Sequence, residues 1–129
     1  MPHSPQKFYE KMAEVEENKK ISLGKKGESQ ARKYLIKNGW KILEKNWRNP
    51  FGEVDIIAKK DDTIAFIEVK ARLTDVFGAP SEAVQKDRKL KYIRGAKYYF
   101  YNKVIDCTVR FDVIEVFRGQ INHIENAFY

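Results

Sequence analysis

The chain has little with which to crosslink itself. Its 129 residues hold one cysteine, Cys107, so no internal disulfide can form, which fits a reducing cytoplasm. Cys107 lies among strand-like residues, as a small buried thiol would. The two histidines, His3 and His123, stand at opposite ends, which argues against a zinc site. No run of 18 apolar residues occurs, so no membrane-spanning helix is expected. The charged N-terminus lacks a signal peptide's apolar stretch. Repeats and low-complexity tracts are absent. What is present suits one domain with a single core, 43% apolar and 13% aromatic. The net charge of +7 suits a polyanionic partner.

Residues 52–72 contain two β-branched, apolar segments, Val54–Ala58 and Ile64–Val69, around a turn-like Lys60-Asp61-Asp62-Thr63. With Asp61 and Asp62 as a two-residue tip, Lys60 faces Thr63, and counting back sets Asp55 opposite Glu68. A four-residue loop gives the same register; a three-residue loop does not. Lys70, two residues past Glu68, projects from the same face. Directly opposed residues have Cβ atoms roughly 4.5–5.5 Å apart, so facing carboxylates repel. Such a cluster adds nothing to stability in an otherwise apolar strand, and a divalent cation would neutralise it. Glu-x-Lys is common by itself, and edge strands carry Lys and Glu to resist aggregation. The apolar flanks are what single out Asp55, Glu68 and Lys70.

Around this hairpin the chain divides into a charged arm, residues 1–21, and a domain, residues 22–129. In the arm Phe8, Met12 and Val15 have helical spacing, compatible with a short amphipathic helix or a mobile segment. A helix is expected from about Leu23 to Asn38, with Ser22 as N-cap and Gly39 closing it. Gly24, Gly27, Ala31 and Leu35 form its buried stripe. Glu28 borders that stripe, either as a solvated flank residue or as a third carboxylate directed at the hairpin. Trp40–Trp47 reads as a strand followed by an Asn49-Pro50 turn. A loop, Leu73–Pro80, with Gly78 and Pro80 as breakers, precedes a helix capped by Ser81 and extending to about Tyr101. Val109–Phe117 and Ile121–Ile124, joined around Gly119, complete an α/β sandwich with a mixed central sheet flanked by helices.

The second helix carries Lys86, Arg88, Lys89, Lys91 and Arg94, interleaved with Tyr92, Tyr98, Tyr99, Phe100 and Tyr101. Basic residues mixed with aromatics suit a groove that follows a phosphate backbone. The same pattern also describes a solvated face with tyrosines turned into the core. Arg72, just past Lys70, is a further candidate for phosphate contact.

A connected set of motifs runs through these elements: Gly24-Lys-Lys-Gly-Glu28-Ser-Gln-Ala31, Gly39-Trp40, Asn46-Trp47-Arg48, Gly52-Glu53-Val54-Asp55, Phe66-Ile67-Glu68-Val69-Lys70-Ala71-Arg72, Phe77-Gly78, Ala83-Val84, Arg110-Phe111-Asp112-Val113 and Asn126-Ala127-Phe128. Over about residues 22–128 they resemble the YraN family of small bacterial proteins. The resemblance implies a restriction-endonuclease-like fold of the PD-(D/E)xK class, distantly similar to archaeal Holliday junction resolvases. It implies that Asp55 and Glu68 hold Mg²⁺ or Mn²⁺ and that Lys70 completes the motif. Glu28 matches the acidic residue of the first helix in this class. Val54 replaces the proline that often precedes the Asp, and Arg88 stands where relatives tend to carry a lysine.

The expected function is therefore metal-dependent hydrolysis of phosphodiester bonds in DNA, structured or branched DNA included. The competing expectation is a catalytically weak nucleic-acid-binding module in a repair or recombination complex. Glu28 or Glu53 would complete the coordination or bind a second ion. Lys70 would orient or deprotonate the attacking water, or stabilise the developing charge. A homodimer is an allowed assembly, and no membrane partner is expected.

Overall fold

A computed structural model describes residues 5–72 and 82–127, with backbone alone for residues 19–22 and 82–85. Helix α1 spans Pro5–Lys37, followed by strands β1 (Lys41–Asn49), β2 (Gly52–Lys60) and β3 (Thr63–Ala71). Helix α2 (Glu82–Tyr99) then leads to β4 (Thr108–Phe117) and β5 (Gln120–Ile124). The expected loop Leu73–Pro80 and the Ser81 cap lie outside the described residues.

The expected helix start at Leu23 is corrected: α1 is one helix of 33 residues, and Ser22 lies inside it. Between Pro5 and Leu23 the chain has neither proline nor glycine and is rich in Glu and Lys, which favour helix. A serine's local capping tendency does not interrupt such a run. The C-terminus behaves as expected. Trp40 N–H donates to Leu35 O at 2.9 Å and Gly39 N–H to Ile36 O at 3.1 Å, with Gly39 at φ 88°. This is the Schellman arrangement that consumes orphan carbonyls.

The five strands form one sheet in the order β1-β2-β3-β4-β5. All neighbours are antiparallel except β3 and β4, which run parallel. Parallel strands need a long crossover, here supplied through α2. The helices cover opposite faces. Ala31 and Leu35 of α1 pack with Ile56, Ala58, Ala65, Ile67 and Ile114. Tyr92 and Ala96 of α2 pack with Val54, Ile57, Ile64, Phe66 and Phe111. Burying each large aliphatic side chain contributes about 1.5–3 kcal/mol. Cys107, expected to be buried in a strand, is half-buried just ahead of β4. Among the described residues no helix is long and apolar enough to cross a membrane.

Two details fix how α1 sits. Gly27 lies so close to β3 that a methyl on it would come 2.8 Å from the Ala71 Cβ. Farther along, a polar cluster ties α1 to β4 and β5. Asp112, fully buried, receives Arg110 through Nε and Nη2 at 2.9 Å each. His123 Nε2 lies 2.7 Å from its Oδ2, and the Asn126 N–H donates to Oδ1 at 3.1 Å. Tyr34 of α1 reaches His123 Nδ1 at 3.0 Å. Burial alone would push the Asp112 carboxyl up; the bonds from His123, Arg110 and Asn126 outweigh it and hold it below its ordinary value.

Candidate active site

The β2–β3 hairpin has the register read from its turn. Lys60 pairs with Thr63, and the ladder runs to Ile56 opposite Ile67. Asp61 at the tip is left-handed, φ 53°, as a two-residue hairpin turn requires. One residue beyond the last pair, Asp55 is level with Glu68. There the Asp55 carboxylate enters the backbone pattern, its Oδ2 accepting the Val69 N–H at 2.8 Å.

Asp55 and Glu68 line one cavity of about 160 Å³, with Glu53 from β2 and Arg88, Lys91 and Tyr92 from α2. Glu28 approaches from α1 along the other flank. With the Asn46 amide turned to donate, its nitrogen lies 2.9 Å from Glu28 Oε2 and 3.2 Å from Glu53 Oε1. This amide therefore bridges two carboxylates that would otherwise repel.

The electrostatics follow from crowding acidic groups at a half-dry site. Burial is the largest cause pushing Asp55 up, to about 7, against the lowering effect of the Val69 N–H. Glu28, Glu68 and Glu53 push it further in the same direction. Glu28 is raised as well, by burial and then by Glu53. Tyr92 is 6% exposed, and its hydroxyl is bonded to the Asp55 backbone. Burial and then the charges of Asp55 and Glu68 drive that phenol strongly upward, so it stays protonated.

The remaining expected residues divide. Arg88 Nη1 lies 3.4 Å from Glu68 Oε1, and Lys91 pairs with Asp87 at 3.2 Å while lining the cavity. Lys86 and Arg94 are exposed and Lys89 is half-buried. Lys70 is half-buried on β3, level with Glu115 of β4, and makes no hydrogen bond or ion pair with the described residues. Arg72 does not line the cavity: its Nη2 lies 3.7 Å from Glu115 Oε2, and it borders a separate cleft against α1. Sequence reasoning missed Asn46 and the site role of Tyr92. For Tyr92 a signal existed, since it stands four residues after Arg88 and four before the buried Ala96, on one helical stripe.

The donor set can be tested against a divalent cation. Among the described residues no three His, Cys, Asp or Glu side chains are gathered into a cage. Hard cations such as Mg²⁺ do not require one, because they bind through one or two carboxylates plus water and substrate oxygens. Asp55 and Glu68, side by side in one cavity with further acidic charge around them, fit that description.

The α/β sandwich, with its mixed sheet and acidic cavity beside the central hairpin, is consistent with a restriction-endonuclease-like fold. Residues 27–116 match the uncharacterised protein family UPF0102, the YraN family, and the chain belongs to it. A UPF0102 protein of Thermodesulfovibrio yellowstonii is 50% identical over 110 residues, covering 85% of this chain and 98% of the relative. One from Clostridium acetobutylicum is 50% identical over 118 residues, covering 86% and 95%. A third, from Clostridioides difficile, is 50% identical over 105 residues, covering 79% and 92%.

Proposed function

We propose that this chain is a metal-dependent endonuclease that hydrolyses phosphodiester bonds in DNA, including structured or branched DNA. The observation that carries the reading is the shared cavity of Asp55 and Glu68, in which burial and neighbouring carboxylates push Asp55 to about 7. Adjacent carboxylates add nothing to the stability of a fold, and they are what a divalent cation binds. Mg²⁺ or Mn²⁺ bound there would acidify a water and polarise the phosphoryl oxygens.

The chain's own groups do the rest. Asp55 is oriented by the Val69 N–H and braced by Tyr92. Glu68 supplies the second carboxylate, and Glu28 and Glu53 keep the pocket acidic. Lys70 orients or deprotonates the attacking water, or stabilises the developing charge. Lys91 and Arg88 meet the phosphate from α2, with Lys86, Lys89 and Arg94 along the same helix. A DNA substrate and the lone Cys107 both fit a cytoplasmic location.

The decisive experiment is cleavage of a substrate panel with Mg²⁺ and Mn²⁺: single strand, duplex, flap, four-way junction and RNA. Cleavage of a DNA member by wild type, lost in Asp55→Asn, supports the reading; no cleavage of any member overturns it. One observation favours a second reading, a catalytically weak nucleic-acid-binding module. Arg88 already occupies Glu68 at 3.4 Å, an arrangement suited to a pocket that holds no ion. That reading expects DNA binding without cleavage.

A further inference from the structure

A second cleft, about 440 Å³, opens on the α1 side of the sheet. Lys26 and Gln30 of α1 form one wall, Ala71 and Arg72 the end of β3 and the residue after it, and Val116 and Arg118 the end of β4 and the turn that follows. Three of these six carry positive charge. Glu115, 8% exposed, sits behind Arg72 at 3.7 Å and also accepts from Asn122 Nδ2 at 3.1 Å. The acidic group is thus turned to the sheet while Lys26 and Arg118 stay exposed.

Arg118 provides an independent pointer. Phe117 pairs with Gln120, so Arg118 and Gly119 form a two-residue hairpin turn, at φ 48° and 77°. Asn, Asp or Gly is favoured at the first of these positions, because Cβ crowds the following carbonyl there; glycine lacks it, and Asn and Asp offset it by local hydrogen bonds. An arginine in that conformation is an outlier from which a functional role is fairly inferred. Its guanidinium lies over the Phe117 ring at 5.1 Å, which holds the charge at the cleft mouth.

We infer that the Lys26–Arg72–Arg118 cleft is a second phosphate-binding site that grips the nucleic-acid backbone outside the cleavage pocket. This rests on the proposed nuclease reading. The cleavage pocket is lined from α2 and this cleft from α1, so a backbone held in both would pass around the end of β3, where Arg72 follows Glu68 by four residues.

The test measures anisotropy of a labelled DNA duplex in Ca²⁺, which suppresses turnover, across a salt series. The variants are Lys26→Ala, Arg118→Gly and their double. Arg118→Gly suits the turn backbone, so it removes the guanidinium without threatening the fold, and thermal melts check each variant. Each single variant should flatten the log–log salt slope by about one unit, and the double by about two. Lys59→Ala/Lys60→Ala, at the far end of the hairpin, should leave the slope unchanged. Wild-type binding with unaltered slopes in all cleft variants overturns this inference and leaves the nuclease reading standing. No binding by wild type overturns both.

Discussion

The Asp55 carboxylate accepts the Val69 backbone N–H at 2.8 Å, one residue past the point where the β2–β3 ladder ends. A side chain thus completes a strand's hydrogen bonding, and it is a side chain that prefers to be protonated. The native state keeps a proton on Asp55 up to about pH 7, whereas an unfolded aspartate releases it near 3.8. Between those values the native state binds more protons, so without divalent cations stability falls as pH rises through that window. Asp55→Asn keeps an oxygen for Val69 and removes the titration. Melts in EDTA at pH 5 and pH 8 should show a decline in wild type that is smaller in Asp55→Asn; an equal decline in both would contradict the assignment.

Divalent cations should reverse that loss. Mn²⁺ at 100-fold its dissociation constant adds about 2.7 kcal/mol to wild type. For a domain of this size that corresponds to several degrees in Tm. Asp55→Asn and Glu68→Gln should lose the shift, and wild type should show it more strongly at pH 8 than at pH 5, because protons compete for Asp55. A Mn²⁺ shift retained in both variants would place the ion elsewhere.

Arg88 faces two ways. Its guanidinium lies 3.4 Å from Glu68 and would have to leave for a cation or a phosphate. Arg88→Ala should therefore tighten Mn²⁺ binding while weakening DNA binding. Calorimetry with Mn²⁺ and anisotropy with DNA measure the two effects separately, and weakening of both would make Arg88 a structural support of Glu68.

Asp112 offers a contrasting case of a buried carboxylate. Its bonds to His123, Arg110 and Asn126 hold it below its ordinary value, so its contribution is present above about pH 4 and is lost as pH falls through the lowered value. Asp112→Ala leaves Arg110 without its buried partner and should cost about 3–5 kcal/mol in urea unfolding.

What could be read from sequence was what short-range geometry decides. The Lys60–Thr63 turn set the hairpin register, and with it the level of Asp55 and Glu68, because the side-chain period of a strand is two. The Gly39 terminus of α1 was equally local. The run of α1 before Leu23 was not readable from a capping residue, since helix propensity summed over Pro5–Ser22 overrode it. The place of Arg72 in a separate cleft was not readable for another reason. Its surroundings depend on the parallel pairing of β3 with β4 and on Glu115, more than 40 residues away in sequence. Tyr92 and Asn46 belong to the site through the packing of α2 and the path of β1, which no local pattern records.

The contact between Gly27 and Ala71 has a consequence for the acidic pocket. The helix lies on the strand at a distance set by a missing methyl, and the next residue along the helix is Glu28. Any side chain at position 27 would act as a wedge, lifting Glu28 away from Asn46 and Glu53. The spacing of the outermost carboxylate is thus governed by a residue that has no chemistry of its own.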